Sequence, residues 1–430
     1  MSKKPLRVAI VGAGYAGMAA AVELCAAGVA VDVFEASRTL GGRARRADID
    51  GAAYDNGQHI LVGAYSETLR LMRLVGADPE QLLLRQPLDL AYPGVMHIKA
   101  PALPAPLHLV VALLGAQGLS WREKWAAIRF MQHLKGCRFQ LSSDLSVHDI
   151  LENLKQPERL RRYLWEPLCI ATLNTPTDSA SAQVFANVLR DTLGAGRAAS
   201  DLLLPRADLT ALFPEPAAQY LESQGGRVLR GRRVVPLTAN NDGWRIDEDS
   251  LPYDAVVLAV APQHLPALLP EDAVLAPLRQ QLASLHFEPI VTAYLRYPAS
   301  VRLSQPMLGY GDGLLQWLFD RGQLMGTPGT LAAVISAQGR HLDLPGDELA
   351  QRLDGEIRSF MPDLPALKSH RVITEKRATF ACVPSLRRPA TQTAIPSLLL
   401  AGDYIASDYP GTLESAVRSG ISAARALIIR

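Results

Sequence analysis

Short apolar runs rich in β-branched residues alternate with helix-forming stretches along this chain, and the first run lies almost at the N-terminus. Residues 8–11, Val-Ala-Ile-Val, are typical of a buried parallel strand. Residues 18–24 favour a helix, and a second apolar run over 29–34 ends at Glu35. The pattern therefore predicts a strand, a helix and a second parallel strand, the repeating unit of an α/β fold.

Later apolar runs extend this prediction to the rest of the chain. Runs within 225–262 and over 397–401 predict further buried strands, and a helix rich in small residues follows Thr412. We expect the region 66–201 to be mostly helical and the region 285–338 to contain strands.

Composition narrows the class of protein. The 430 residues allow about two to three domains, and 48% hydrophobic residues with a mean hydropathy of +0.07 suit a well-packed enzyme. A net charge of +2 gives no argument for nucleic acid as a partner. The four cysteines lie far apart without a C-x-x-C motif, which predicts no metal site and fits a reducing cytoplasm. Because no run of about 18 apolar residues occurs and the first run is a predicted strand, we expect neither a spanning helix nor a signal peptide.

Three glycines follow the first predicted strand with the spacing G-x-G-x-x-G, at Gly12, Gly14 and Gly17. In such a turn, Gly12 allows a tight bend, Gly14 lets the backbone approach a pyrophosphate, and Gly17 lets helix and strand pack closely. The helix N-terminus around Ala16 offers N–H groups to phosphate, and Glu35 can accept hydrogen bonds from ribose hydroxyls. This combination predicts a dinucleotide-binding site.

A second glycine-rich loop distinguishes FAD from NAD. It begins at Ala36, directly after Glu35, and the pattern E-A-S-x-x-x-G-G-R ends at Arg43. Gly41 and Gly42 offer bare backbone N–H groups, and Arg43 with two neighbouring arginines supplies positive charge for a diphosphate. The pattern resembles the second phosphate loop of the FAD-binding amine oxidase and phytoene desaturase superfamily, which implies FAD as the cofactor.

The last apolar run ends in Gly402 and Asp403 and is similar to the C-terminal flavin motif of the same superfamily. The resemblance implies that Asp403 accepts from a ribityl hydroxyl or lies near the pyrophosphate. It also implies that N–H groups at Thr412, Leu413 and Glu414 point at the isoalloxazine N1–C2=O edge. The expected fold is α/β, with a Rossmann-like FAD-binding domain built from both chain ends and an inserted α+β substrate domain.

The same resemblance implies domain boundaries and further contacts with FAD. The expected FAD-binding parts are 1–65, 202–284 and 386–430, and the inserted parts are a helical region at 66–201 and strands at 285–385. Val234 would contact the adenine through its backbone. Gly57, Gln58 and His59 would pass beside the isoalloxazine, where Gly57 permits close approach and the other two can reach the flavin or the substrate.

Four stretches, 165–176, 180–191, 204–209 and 375–380, resemble one branch of the superfamily, the squalene-associated FAD-dependent desaturase-like proteins. The resemblance covers nearly the whole chain. It implies reductive removal of the allylic hydroxyl of hydroxysqualene to give squalene, a step in squalene and hopanoid biosynthesis. Because the chain has no second G-x-G-x-x-G for a nicotinamide cofactor, an external electron donor is also implied.

This reaction needs an acid that helps the hydroxyl leave, a hydride from reduced flavin and a dry apolar tunnel around the resulting cation. Glu166 is the first candidate for the acid because it lies in the branch-specific stretch, and His59 and Asp55 are the others. Rival interpretations are a phytoene-type desaturase or isomerase, an amine oxidase with an aromatic cage from Tyr404 and Tyr409, and a non-catalytic carrier of prenyl lipids.

The segment 101–130 combines apolar length with tryptophan and positive charge. Ser120 and Glu123 predict a capping box at a helix start, and Trp121 and Trp125 follow with interleaved cations. We expect a helix at the membrane surface or a lid over a substrate pocket, and both roles are compatible. The membrane role would place the protein on the inner face of the cytoplasmic membrane.

Overall fold

The computed structural model describes residues 6–234, 237–240, 243–246 and 251–429, so parts of the runs predicted within 225–262 lie outside the described residues. The strands in these ranges are β1 (Arg7–Val11), β2 (Ala30–Glu35), β3 (Arg46–Ile49), β4 (Ala52–Asp55), β5 (Leu61–Val62), β6 (Leu83–Gln86), β7 (Asp89–Tyr92), β8 (Met96–Lys99), β9 (Leu202–Pro205), β10 (Arg227–Arg230), β11 (Thr238–Asn240), β12 (Gly243–Arg245), β13 (Ala255–Leu258), β14 (Phe287–Arg296), β15 (Met307–Gly309), β16 (Trp317–Asp320), β17 (Thr330–Ser336), β18 (Ser369–Phe380) and β19 (Leu398–Leu400).

The helices of the same ranges are α1 (Tyr15–Ala26), α2 (Ser66–Leu74), α3 (Pro79–Leu82), α4 (Leu107–Leu114), α5 (Trp121–Gly136), α6 (Val147–Asn153), α7 (Glu158–Leu160), α8 (Glu166–Leu173), α9 (Ala182–Thr192), α10 (Leu209–Leu212), α11 (Pro214–Ser223), α12 (Ala276–Ala283), α13 (Arg321–Met325), α14 (Gly346–Arg358) and α15 (Leu413–Ile428). A π-helical turn at Arg161–Trp165 leads into α8.

A five-stranded parallel sheet forms the first layer, in the order β10-β2-β1-β13-β19. Its central strand is β1, in which Val8 pairs with Val31 on one side and with Ala255 on the other. Parallel strands need cover on both faces, which explains their continuous apolar runs. Since the sheet draws its strands from three distant parts of the chain, the predicted Rossmann-like α/β fold is confirmed, while the exact domain boundaries stay predictions.

The first helix, α1, and the last helix, α15, pack so closely that their backbones are in contact. A Cβ added to Gly420 of α15 would lie 2.1 Å from the carbonyl oxygen of Ala16 in α1. A Cβ added to Gly17 would lie 1.9 Å from the oxygen of Gly12, so the helix can approach its strand only with glycine there. The C-terminal helix is therefore part of the same unit as the N-terminal strand.

The second sheet is antiparallel, in the order β15-β16-β17-β14-β18. The long strand β14 lies between β17 and β18, and it pairs Ile290 with Ser336 of β17 and Glu288 with Thr379 of β18, with a register shift between Glu288 and Ile290. Helix α14 packs on one face through an apolar cluster that includes Leu353. The strands expected within 285–338 are thus present and continue to residue 380.

The region 66–201 is mostly helical, as predicted, but it also contains the hairpin of β7 and β8. Buried and partly buried residues alternate along β7. The strand is only four residues long, so this two-residue period could not be recognised in the sequence beside longer helical patterns. One apolar cluster joins this region to the second sheet and includes Phe130, Trp165, Trp317 and Tyr294.

Candidate flavin site

The turn after β1 has the geometry that its glycines predict. Gly12 has φ +105°, and a Cβ there would lie 2.7 Å from the oxygen of Ala259, so the position requires glycine. Gly14 has φ −75°, and its nearest neighbour for a Cβ is Gly42 Cα at 3.7 Å. No side chain caps the N-terminus of α1, so its first N–H groups, including that of Ala16, can bind an anion.

Glu35 ends β2 beside this turn. Its Oε2 accepts from the N–H of Ala13 at 2.8 Å and its Oε1 accepts from the N–H of Ser37 at 2.7 Å, across the exposed Ala36. The N–H of Arg232 donates to the Glu35 carbonyl at 2.8 Å, which brings the segment that ends at the buried Val234 to the same edge. Each carboxylate oxygen keeps a lone pair, so the arrangement still suits a ribose hydroxyl.

The second glycine loop lies directly against the first. The N–H of Gly41 donates to the Ala13 carbonyl at 2.9 Å, and a Cβ on Gly42, which has φ +65°, would lie 3.3 Å from Gly14 Cα. Two stretches of bare backbone therefore lie side by side where a diphosphate is expected, and a side chain at Gly14 or Gly42 would intrude on its place.

Arg43 and Asp403 form an ion pair at 2.5 Å, and Arg43 also donates to the carbonyl of Ala378 at 2.7 Å. The predictions placed Arg43 near the diphosphate and Asp403 at a ribityl hydroxyl or near the pyrophosphate. In the structure the two side chains bind each other and join the second glycine loop to the C-terminal motif, in which Gly402 donates its N–H to Ser419 at 2.8 Å. Contacts of both side chains with FAD stay predictions.

The N-terminus of α15 is built as the sequence predicts. Thr412 and Ser415 form a capping box, and the N–H groups of Leu413 and Glu414 find no acceptor among the described residues. The buried carboxylate of Glu414 accepts from the N–H groups of two residues at the start of α2 at 2.9 to 3.0 Å. Only its backbone N–H is therefore free for a flavin carbonyl, while its side chain fixes α15 against α2.

The segment of Gly57 and Gln58 runs from the second glycine loop to the second sheet. Gly57 has φ +103°, and the side chain of Asn56, next to it, donates to the Arg43 carbonyl at 3.0 Å. The Gln58 amide accepts from Arg321 at 3.3 Å and is buried. Its side chain is therefore engaged inside the protein.

The surroundings of His59 favour the neutral form of its imidazole. Its Nδ1 lies 2.9 Å from the carbonyl of Gly57, a contact that a protonated Nδ1 satisfies, and burial lowers the pKa of the ring. The Nε2 atom then carries a lone pair and finds no partner within the described residues. A neutral imidazole accepts a proton more readily than it gives one, so this geometry disfavours His59 as the acid.

Asp55 is almost fully enclosed, at 2% exposure. One carboxylate oxygen accepts from the N–H of Leu209 at 2.9 Å and the other lies 3.5 Å from the buried Arg321. Burial raises the pKa of Asp55 to about 6, although both partners favour the charged form. Because both of its oxygens have partners, the Asp55 carboxyl holds in place the segment that continues to Gly57 and Gln58. Nothing in the sequence indicated a role for Arg321, because Asp55 lies 266 residues away from it and no local motif marks the arginine.

Glu166 is the first residue of α8 and is partly buried. Burial raises its pKa, and the charges that act on it come from Arg161, Asp178, His148 and a further arginine. The carboxyl receives no hydrogen bond from the described residues. The raised pKa has the direction that an acid needs, although the neighbours of Glu166 are more polar than the sequence predicted, and its role stays a prediction.

The opposite end of α8 reaches the C-terminal motif. Asn174, in the left-handed conformation with φ +47°, donates to Thr379 Oγ1 at 3.0 Å and accepts from the N–H of Ala337 at 2.9 Å. A Cβ on Gly411, just before the α15 cap, would lie 3.0 Å from Thr379 Cβ. Helix α8 spans about 12 Å at 1.5 Å per residue, so Glu166 lies about that far from this junction. The branch-specific stretch of the sequence includes Asn174, but nothing in the sequence indicated that Asn174 joins the end of α8 to Thr379 and Ala337.

Tyr404 and Tyr409 are the residues from which an aromatic cage was predicted. Tyr404 is buried with its hydroxyl 3.4 Å from the Ala401 carbonyl, and the Tyr409 ring lies 5.2 Å from the Arg418 guanidinium. Both side chains thus have partners within the protein, which gives no support to the amine oxidase interpretation.

Two glycine loops, an uncapped helix N-terminus and an acid at the end of the second strand match the diphosphate and ribose of FAD. The fold and the site define an FAD-dependent oxidoreductase. The chain belongs to the family of flavin-containing amine oxidoreductases, whose model matches residues 15–428.

Relatives and solved structures agree with this assignment. The chain is 30% identical to hydroxysqualene dehydroxylase of Sinorhizobium fredii, over 98% of both chains, and 31% identical to that of Rhodopseudomonas palustris, over 97% of both. It is 26% identical to 15-cis-phytoene desaturase of Solanum lycopersicum, over 99% of this chain and 78% of the relative. An oxidoreductase of Methanosarcina mazei has the same fold, with a TM-score of 0.74 at 13% identity over 97% of this chain and 99% of the other. The expected resemblance to the desaturase-like branch is thereby confirmed, and the carrier interpretation is not.

Proposed function

We propose that this chain catalyses the reductive dehydroxylation of hydroxysqualene to squalene. The observation that carries the proposal is similarity to hydroxysqualene dehydroxylases along 97 to 98% of the chain, at higher identity than to the phytoene desaturase. Asn174, which ends the branch-specific helix α8, donates to Thr379, and Thr379 lies against Gly411 just before the α15 cap, so this end of the helix is close to the C-terminal flavin motif.

The reaction replaces a C–O bond with a C–H bond. A proton and the hydroxyl leave together as water, and the allylic carbon receives a hydride, which FAD supplies when it is bound and reduced. A separate reductase or diffusible donor provides the two electrons. The apolar cluster between α5, α8 and the second sheet would keep water from the allylic cation.

A C30 substrate dwells in a lipid bilayer, and the protein offers a matching surface. Five large apolar side chains on α4 and α5 are exposed, with exposed fractions from 38% to 64%. They are Leu107, Val110, Val111, Trp121 and Trp125. Exposed Arg122 and Arg129 on α5 add positive charge beside the tryptophans. No helix within the described ranges meets the length and hydropathy needed to cross a bilayer. We infer peripheral contact with the inner face of the cytoplasmic membrane through this surface.

Anaerobic single turnover tests the proposal directly. The photoreduced holoprotein is mixed with hydroxysqualene, and flavin absorbance and squalene are followed together. We expect reoxidation that matches squalene formed. Reduction of the oxidised protein by phytoene, without reoxidation by hydroxysqualene, would instead establish a desaturase.

Glu166 is the acid that the sequence favours, and its raised pKa agrees with that role. Glu166→Gln removes the proton and keeps the shape, so it would slow reoxidation by about 10²- to 10⁴-fold if Glu166 is the donor. His59→Ala is the matched comparison, because loss of rate in that variant alone would assign the acid to His59.

A further inference from the structure

A fourth candidate for the acid, outside every motif noted in the sequence, lies near the C-terminal flavin motif. Glu288 is near the start of β14, directly opposite Thr379 of β18, and is only 9% exposed. Directly opposed residues of antiparallel strands project to the same face of a sheet. Its side chain therefore lies on the face where Thr379 meets Asn174 and Gly411.

The carboxyl of Glu288 is only half engaged. Its Oε2 accepts from the N–H of Gln338 at 2.9 Å, whereas its Oε1 receives no hydrogen bond and no cation within the described residues. Burial raises the pKa of this group, and the single backbone hydrogen bond only partly offsets that effect. The free oxygen is not sealed inside the protein, so it is open to a hydroxyl group of a ligand.

The backbone around Glu288 holds this oxygen in place. Asn174 donates to the carbonyls of Glu288 and Pro289 at 3.4 and 3.3 Å, next to the register shift of β14. The N–H of Ala337 donates to Pro289 at 3.0 Å from the other neighbouring strand. The end of α8 and two strands thus fix one carboxyl beside the C-terminal flavin motif.

We propose that Glu288 binds the hydroxyl of the substrate through its free oxygen and donates the proton with which that hydroxyl leaves as water. The O–H bond of Glu288 breaks as the C–O bond of the substrate breaks, and the carbon takes the hydride. The resulting carboxylate regains a proton from water in the next cycle. This inference rests on the proposed function for its reaction, although the hydroxyl-binding role can be measured separately.

Glu288→Gln is the decisive variant because its amide oxygen can still accept from Gln338. We expect normal FAD content and melting temperature, and reoxidation by hydroxysqualene slowed about 10²- to 10⁴-fold. Glu348→Gln, at an exposed carboxyl of α14 outside every proposed site, is the matched control and should react at the wild-type rate. A wild-type rate in Glu288→Gln, or the full loss in Glu166→Gln instead, overturns the proposal.

A binding measurement separates this inference from the proposed function. Oxidised holoprotein is titrated with farnesol and with the hydrocarbon farnesene, and flavin fluorescence reports binding. The wild type and Glu288→Gln should prefer the alcohol by about tenfold or more, because both side chains can donate a hydrogen bond, and Glu288→Leu should lose that preference. Retained preference in a folded Glu288→Leu protein refutes the role of Glu288. A different result separates the two proposals. If the preference for farnesol depends on Glu288 but hydroxysqualene does not reoxidise the reduced wild type, only the proposed reaction is refuted.

Discussion

Replacement of Gly14 by valine should remove FAD from the protein and leave the fold intact. A Cβ at this position meets nothing closer than 3.7 Å, and its φ of −75° suits any residue. The change in the free energy of unfolding should therefore stay within about 1 kcal/mol. The added methyl groups instead occupy the place beside the two glycine loops where the diphosphate is expected to lie.

Gly17→Ala is the matched control, since the new Cβ would lie 1.9 Å from the Gly12 oxygen. Helix α1 would have to move off its strand, and overpacking of this kind costs about 1–3 kcal/mol or more. We expect this variant to lose stability and FAD together, whereas Gly14→Val loses FAD alone. For Gly14→Val, the dissociation constant for FAD should rise about 100-fold or more, which corresponds to about 2.7 kcal/mol.

Both quantities can be measured on apoprotein, by calorimetric titration with FAD and by thermal unfolding followed with circular dichroism. A folded Gly14→Val protein that keeps its flavin absorbance would refute the assignment of the two loops to the diphosphate. Unfolding of Gly14→Val to the same extent as Gly17→Ala would show that Gly14 serves packing and that the gap is not a binding site.

Three further changes test other parts of the structure. Glu35→Ala should weaken FAD binding by about 1–3 kcal/mol in the same titration, the scale of a lost charged hydrogen bond, and unchanged affinity would contradict the ribose contact. Serine at both Trp121 and Trp125 should lower binding to anionic liposomes at least about tenfold in a sedimentation assay, without loss of FAD, and equal binding would leave this segment as a lid only. Burial raises the pKa of Asp55 from 3.8 to about 6, so its stabilising contribution is complete below about pH 4 and is lost as the pH rises through about 6. Relative to Asp55→Asn, the wild-type free energy of unfolding should therefore fall by about 3 kcal/mol between about pH 3 and 7 in urea titrations, and parallel curves would disprove the assigned pKa.

The sequence by itself determined the elements whose causes are local. The spacing of Gly12, Gly14 and Gly17 after a β-branched run predicted the βα turn, and the structure confirms the positive φ at Gly12 and the close packing at Gly17. The capping box at Ser120 and the helix start near Thr412 also formed where expected. These signals succeed because a turn or a helix end depends on residues three or four positions apart.

Only the tertiary structure decided which partners the polar side chains have. Arg43 pairs with Asp403 across 360 positions, and the carboxylate of Glu414 binds the start of α2 across about the same separation, so side chains expected at the cofactor hold the frame together. Glu288 carried no motif and became visible only when β14 and β18 placed it opposite Thr379. A buried charge takes its pKa and its role from whatever packs against it, and that packing is set by strands and helices far apart in the chain.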